Sequence, residues 1–173
     1  MSDAAAIEDM QIDSVYSLVR RDYSDLQVES IVTYLGVFDP QLIRDGTYYV
    51  AELAGVIVGS GGWARYAEAV RSLCRGLEGC KPPCASGSDA VDIRAIFVHP
   101  DWARRGVARV LMDLVESKAL EAGFRRAEVI ATLTGAPLYR ALGYAERGRP
   151  SLELPNGVFV PAVFLEKRLD LVA

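Results

Sequence analysis

The sequence has little cysteine, no excess of positive charge and no long apolar run. Its three cysteines, Cys74, Cys80 and Cys84, cannot all pair within the chain, which fits a reducing compartment better than secretion. Their Cys-x5-Cys-x3-Cys spacing lacks a fourth ligand and the tight Cys-x2-Cys pairs of structural zinc, so no metal is expected. Lysine and arginine number 19 against 23 aspartates and glutamates, for a net charge of -4. With a pI near 5.1, the chain lacks the basic face that sequence-independent nucleic-acid binding requires. No apolar run approaches the roughly 18 to 20 residues of a membrane helix. The acidic start, Met1 to Asp9, has neither the basic nor the apolar region of a secretory signal. The expected compartment is the cytoplasm, with neither nucleic acid nor membrane as partner.

What is present suits one globular domain over residues 1–173. Hydrophobic residues make up 51% and charged residues 24%, an ordinary composition with apolar mass for one core. Ile12, Val15, Tyr16 and Val19 recur at helical spacing, as do Val28, Ile31, Val32 and Leu35. Ser24 with Gln27 three residues on predicts a capping box, and Gly36 a stop. Tyr48–Leu53, Ala54-Gly55 and Val56–Gly59 predict a β-hairpin, with Gly59, Gly61 and Gly62 marking a bulge or a close backbone approach. Residues 67–90 read as a long connection, with one helical turn near Val70 to Leu73. A buried strand, Val91–Val98, then leads through His99-Pro100 to a helix from Gly106 to Ala122, with Val107, Val110, Leu111 and Leu114 toward the core. A strand over Arg126–Thr132, a short helix over Ala136–Leu142 and two strands, Glu146–Leu154 and Val158–Lys167, complete an α/β or α+β order.

The densest chemical signal is Val98-His99-Pro100-Asp101-Trp102-Ala103-Arg104-Arg105-Gly106-Val107-Ala108-Arg109. A strand feeds a loop, and the loop opens an apolar helix. Small residues at Gly106 and Ala108 leave the backbone amides of the helix start unshielded. Those donors and the helix dipole attract anions, and Arg104, Arg105 and Arg109 add positive charge at the same place. This is the chemistry of a pyrophosphate cradle. It lacks the Gly-Lys-Ser/Thr of a P-loop and the three spaced glycines of a dinucleotide fingerprint.

The run resembles the acetyl-CoA motif of the GNAT superfamily of N-acetyltransferases, Gln/Arg-x-x-Gly-x-Gly/Ala, which falls on Ala103 to Ala108. Gly106 and Ala108 match, and Ala103 departs from the usual Gln or Arg. Downstream, Ala136-Pro137-Leu138-Tyr139-Arg140-Ala141-Leu142-Gly143-Tyr144 is similar to the family's Phe/Leu-Tyr-x-x-x-Gly-Phe/Tyr helix. Val163 to Leu169 resembles its closing strand. The resemblance implies a GNAT-like mixed, mostly antiparallel central sheet flanked by helices, with a splayed central strand pair binding CoA. It implies acetyl-CoA as co-substrate, main-chain contacts to the pantetheine arm at Ile96, Phe97 and Val98, and Tyr139 beside the CoA sulfur. Asp92 falls where the histone-acetyltransferase branch places its catalytic glutamate. Homodimers are common in the family, and no feature of the sequence locates an interface.

Plainer readings stand beside these. Tyr139 also fits a core tyrosine, Asp92 a strand cap, and His99 a turn residue rather than a base. The expected reaction is acetyl transfer from acetyl-CoA to a primary amine of a small molecule or peptide, by direct attack in a ternary complex. A backbone N–H near Phe97 or Val98 would stabilise the oxyanion and Tyr139 would protonate the leaving thiolate. The alternatives are a transferase for a longer acyl group and a non-catalytic acyl-CoA sensor. Strand alternation predicts Asp92, Arg94 and Ile96 on one face.

Overall fold

A computed structural model describes residues 3–35, 40–65 and 90–169. The predicted stop at Gly36, the helical turn near 70–73 and the three cysteines lie outside these residues. The chain opens with α1 (Asp3–Leu18), α2 (Asp25–Tyr34) and α3 (Pro40–Arg44). The strands are β1 (Tyr48–Leu53), β2 (Val56–Ala64), β3 (Ala90–Val98), β4 (Arg126–Thr132), β5 (Ala145–Gly148), β6 (Ser151–Glu153) and β7 (Phe159–Arg168). Helix α4 (Val107–Glu121) lies between β3 and β4, and α5 (Ala136–Ala141) between β4 and β5. The sheet order is β1-β2-β3-β4-β7-β5, with β6 also paired to β7. Every pairing is antiparallel except that of β3 with β4, so the expected mixed, mostly antiparallel sheet is what forms.

Local chemistry fixes the boundaries. Ser24 Oγ accepts from the Gln27 N–H at 3.3 Å and Gln27 Oε1 accepts from the Ser24 N–H at 3.0 Å, the capping box that starts α2. Ala54 and Gly55 both have positive φ, +50° and +79°, which suits the two-residue turn of a twisted hairpin. Strand β2 runs through its glycines to Ala64 because neighbours crowd them. A Cβ on Gly62 would stand 2.5 Å from the Thr47 carbonyl oxygen, and one on Gly59 2.8 Å from Val107 Cγ1 of α4.

Two apolar layers cover the sheet. On one face Trp63, Val91, Ile93, Val129 and Leu165 pack under Met112, Val115 and Ala119 of α4. On the other, Leu152, Val160 and Ala162 pack with Val15, Val28 and Ile31 of α1 and α2. The predicted helix faces were rotated. In α4 the buried residues are Leu111, Met112, Val115 and Ala119, while Val110 is 66% exposed and Leu114 lies at the surface. In α1 they are Ile7, Met10, Gln11, Ser14 and Val15, and Tyr16 is exposed. The last two predicted strands are three, because the chain turns at Arg149-Pro150 and both β5 and β6 pair with β7.

Candidate active site

Strands β3 and β4 run side by side for three rungs only, Ala90–Arg126, Val91–Ala127 and Asp92–Glu128. Beyond Asp92 they part: β3 stays with β2, while β4 stays with β7 as far as Thr132. The wedge lies at the carboxyl ends of two parallel strands, where sheets of this kind commonly take ligands. Along it, β3 presents backbone groups with no partner on β4. An extended ligand carrying amides could pair with that edge as an added strand would.

A bulge bends β3 away. Ser60 pairs with Phe97 and Gly62 with Arg94, so Ala95 and Ile96 together oppose Gly61. Ala95 takes a left-handed conformation, φ +56°, uncommon for a residue with a side chain. The extra residue overturns the predicted face: Ile96 joins Ile93 in the layer under α4, while Phe97 packs in the opposite layer. Asp92 and Ile96 therefore do not share a face.

The predicted cradle follows at once. His99 Nδ1 accepts from the Asp101 N–H at 3.2 Å and caps the 3-10 turn Pro100–Trp102, the turn role expected of it. Arg104 (φ +64°) and Gly106 (φ +89°) are both left-handed, a curl that turns successive backbone N–H groups outward as anion-binding nests do. The first bond into α4 joins the Val110 N–H to the Gly106 carbonyl, which leaves the amides of Val107, Ala108 and Arg109 as helix-start donors. Arg104, Arg105 and Arg109 are exposed, and the Arg105 guanidinium stacks on Trp102 with Cζ 5.0 Å from the ring centroid. A Cβ on Gly106 would meet nothing within 4 Å, so glycine is required there by conformation, not by space.

Tyr139 on α5 is 6% exposed and meets Tyr144 edge to face, ring centroids 5.5 Å apart. Burial, then the charge of Asp92, push the Tyr139 hydroxyl above the usual phenol range, so it keeps its proton at neutral pH. Asp92 is 3% exposed and holds Arg94 Nε 2.7 Å from Oδ2. It is thus a buried, ion-paired carboxylate near the start of β3.

Sequence reasoning missed the clasp behind the wedge. Tyr23 Oη accepts from the Leu133 N–H at 2.8 Å and donates to the Pro161 carbonyl at 2.7 Å. Thr134 Oγ1 donates to Asp22 Oδ2 at 2.6 Å. The corner between α1 and α2 therefore fixes the end of β4, just ahead of α5. No local motif announces it, because the partners are more than a hundred residues apart in sequence. Among the described residues, no group of three or more His, Cys, Asp or Glu is placed to hold a metal, and no helix is long and apolar enough to cross a membrane.

Comparison with known proteins agrees with this geometry. No curated protein sequence is significantly similar to the chain. Among solved structures, a GCN5-related N-acetyltransferase from Rhodopseudomonas palustris superposes with a TM-score of 0.72 at 24% identity, over 97% of this chain and 91% of that one. A ribosomal-protein-alanine N-acetyltransferase from Brucella melitensis gives 0.62 at 19% identity, over 97% and 95%. The yncA protein of Salmonella typhimurium, solved with its cofactor acetyl-CoA, gives 0.61 at 18% identity, over 99% and 91%. These likenesses show the fold. The model of the acetyltransferase (GNAT) family matches residues 12–144, and the chain belongs to that family of acetyl-CoA-dependent N-acetyltransferases.

Proposed function

We propose that residues 1–173 form one cytoplasmic acetyltransferase domain that moves the acetyl group of acetyl-CoA to a primary amine of a small molecule or peptide, by direct attack in a ternary complex. What supports this reading is the wedge between β3 and β4, the anion-attracting helix start that follows β3, and a buried Tyr139 that feels the charge of Asp92 at the apex. The residues fit acetyl-CoA. The amides of Val107, Ala108 and Arg109 with Arg104 and Arg105 would take the pyrophosphate, and the free edge of Ile96, Phe97 and Val98 would take the pantetheine amides.

A primary amine has a pKa near 10 and must lose a proton before it attacks. Asp92 would take that proton directly or through one water, and Arg94 beside it keeps the buried charge compensated. A backbone N–H on the bulged stretch of β3 would stabilise the oxyanion. Tyr139, protonated at neutral pH, would give its proton to the departing thiolate. Release of CoA thiol from acetyl-CoA, followed over a panel of primary amines and peptides, tests the reading. Release that depends on one amine class supports it; acetyl-CoA binding with no release over the whole panel would make the protein a sensor.

A further inference from the structure

The bulge on β3 is held from the α1 side by three polar side chains that the transfer chemistry does not use. Gln11 of α1 is completely buried beneath the helix. Its Nε2 donates to Tyr48 Oη at 3.0 Å and to Ser60 Oγ at 3.4 Å. Ser60, also completely buried, donates through Oγ to the Ala95 carbonyl at 3.4 Å. Burial raises the Tyr48 hydroxyl pKa, an effect partly offset by its contact with Ser60, so this phenol stays neutral. Gln11 Oε1 is buried with no hydrogen-bond partner among the described residues. A buried acceptor left unmatched is unfavourable, and apolar packing alone would not retain an amide here. The side chain is used at its donor end.

What that end holds is one peptide unit. Ala95 sits in a conformation that L-residues avoid, so the surroundings must impose it. No peptide bond of the described chain is cis, and in a trans unit the carbonyl and the next N–H point in opposite directions. With the Ala95 carbonyl drawn toward Ser60 on β2, the Ile96 N–H is turned toward the opposite side of β3, where β4 has left.

We propose that Gln11, Tyr48 and Ser60 are positioning residues that lock the Ala95–Ile96 peptide and so aim the Ile96 N–H at the thioester carbonyl. The proposal rests on the acetyltransferase reading and adds to it a device in α1, β1 and β2 that prepares the donor before substrate arrives. A preorganised donor acts on charge that develops during attack, so its loss lowers turnover more than affinity.

Isotope-edited infrared spectra of acetyl-CoA carrying carbon-13 at the acetyl carbonyl test this with no knowledge of the acceptor. In the parent, the thioester band should move to lower wavenumber on binding, because a hydrogen bond weakens the C=O. Ser60→Ala should lose about half of that shift or more, with acetyl-CoA affinity within about twofold of the parent, and Ser60→Thr should keep it. Tyr48→Phe removes one hydroxyl from a half-buried ring and serves if Ser60→Ala does not fold; it should lose a smaller part of the shift. Ser60→Ala and Tyr48→Phe proteins with the parent's band position would overturn the proposal. So would a parent that binds acetyl-CoA without any band shift, leaving the acetyltransferase reading intact. A parent that binds no acetyl-CoA would overturn both.

Discussion

Asp92 and Glu128 face each other on the last rung that joins β3 to β4, two buried carboxylates at the point where the strands part. Like charges directly opposite in a sheet repel, and each has an arginine from its own strand: Arg94 at 2.7 Å from Asp92 and Arg126 at 3.3 Å from Glu128. The apex of the wedge is therefore polar, while the layers on either side are apolar. Just past it the Ala95 bulge bends β3 away, so pairing does not resume. The bulge thus coincides with the point at which the two parallel strands separate after three rungs.

Asp92→Asn should lower turnover at neutral pH, and raising the pH should restore part of it, because more of the amine is then already deprotonated. The same change removes the negative charge that Arg94, with a side chain only 24% exposed, meets at 2.7 Å, and should cost roughly 1–3 kcal/mol of stability. Rate–pH profiles and denaturant unfolding of both proteins measure the two effects separately. Parallel profiles with no loss of rate would make Asp92 a structural residue.

Tyr139→Phe keeps the ring and its edge contact with Tyr144, so the fold should hold. Turnover should fall by roughly 10² or more while acetyl-CoA affinity changes little. Because the native hydroxyl ionises above the ordinary phenol range, the parent should show no loss of rate from Tyr139 up to about pH 10. A variant within a few-fold of the parent would return Tyr139 to the core.

Burial, with Asp92 acting on Tyr139 and Glu116 on Tyr144, raises the ionisation of both phenols in the folded state. An unfolded tyrosine ionises near pH 10, so their contribution to stability is complete below that pH and is lost as the pH rises above it. Alkaline unfolding followed by phenolate absorbance should show these rings ionising together with the loss of native structure. Tyr139→Phe should flatten the fall of stability above pH 10. An unchanged slope would contradict the assignment.

Gly106 has φ +89° and open space where a Cβ would go. Gly106→Ala should cost about 1–2 kcal/mol from the left-handed backbone alone, or relax the turn and weaken CoA binding. Gly106→Asn should do less damage, because asparagine tolerates this region, and Gly106→Val should do more. Titration calorimetry with CoA, beside thermal unfolding, would order the three. Equal CoA affinity in all of them would remove the helix start from the binding site.

The hairpin at Ala54-Gly55, the capping box at Ser24 and the loop from His99 to Gly106 were legible because each is decided by residues within a few positions. The wedge was legible only through the family resemblance, since nothing in the residues of β3 reveals which strand stops pairing. Alternation failed at Ala95 because a bulge inserts one residue and exchanges the faces beyond it. In α4 the helical period was right and its phase was not: Val107, Val110, Leu111 and Leu114 form an apolar stripe, yet the sheet takes Leu111, Met112, Val115 and Ala119. The Gln11–Ser60 contact and the Tyr23 clasp join residues 49 and 110 or more positions apart, pairings that a single sequence does not encode locally.

The most direct test of direct attack in a ternary complex is an initial-rate matrix, with acetyl-CoA varied against the best amine from the panel. Intersecting lines, together with an unchanged protein mass after incubation with acetyl-CoA alone, are the predicted result. Parallel lines with an acetyl group retained on the protein would contradict it, because the acetyl group would then pass through a covalent enzyme intermediate.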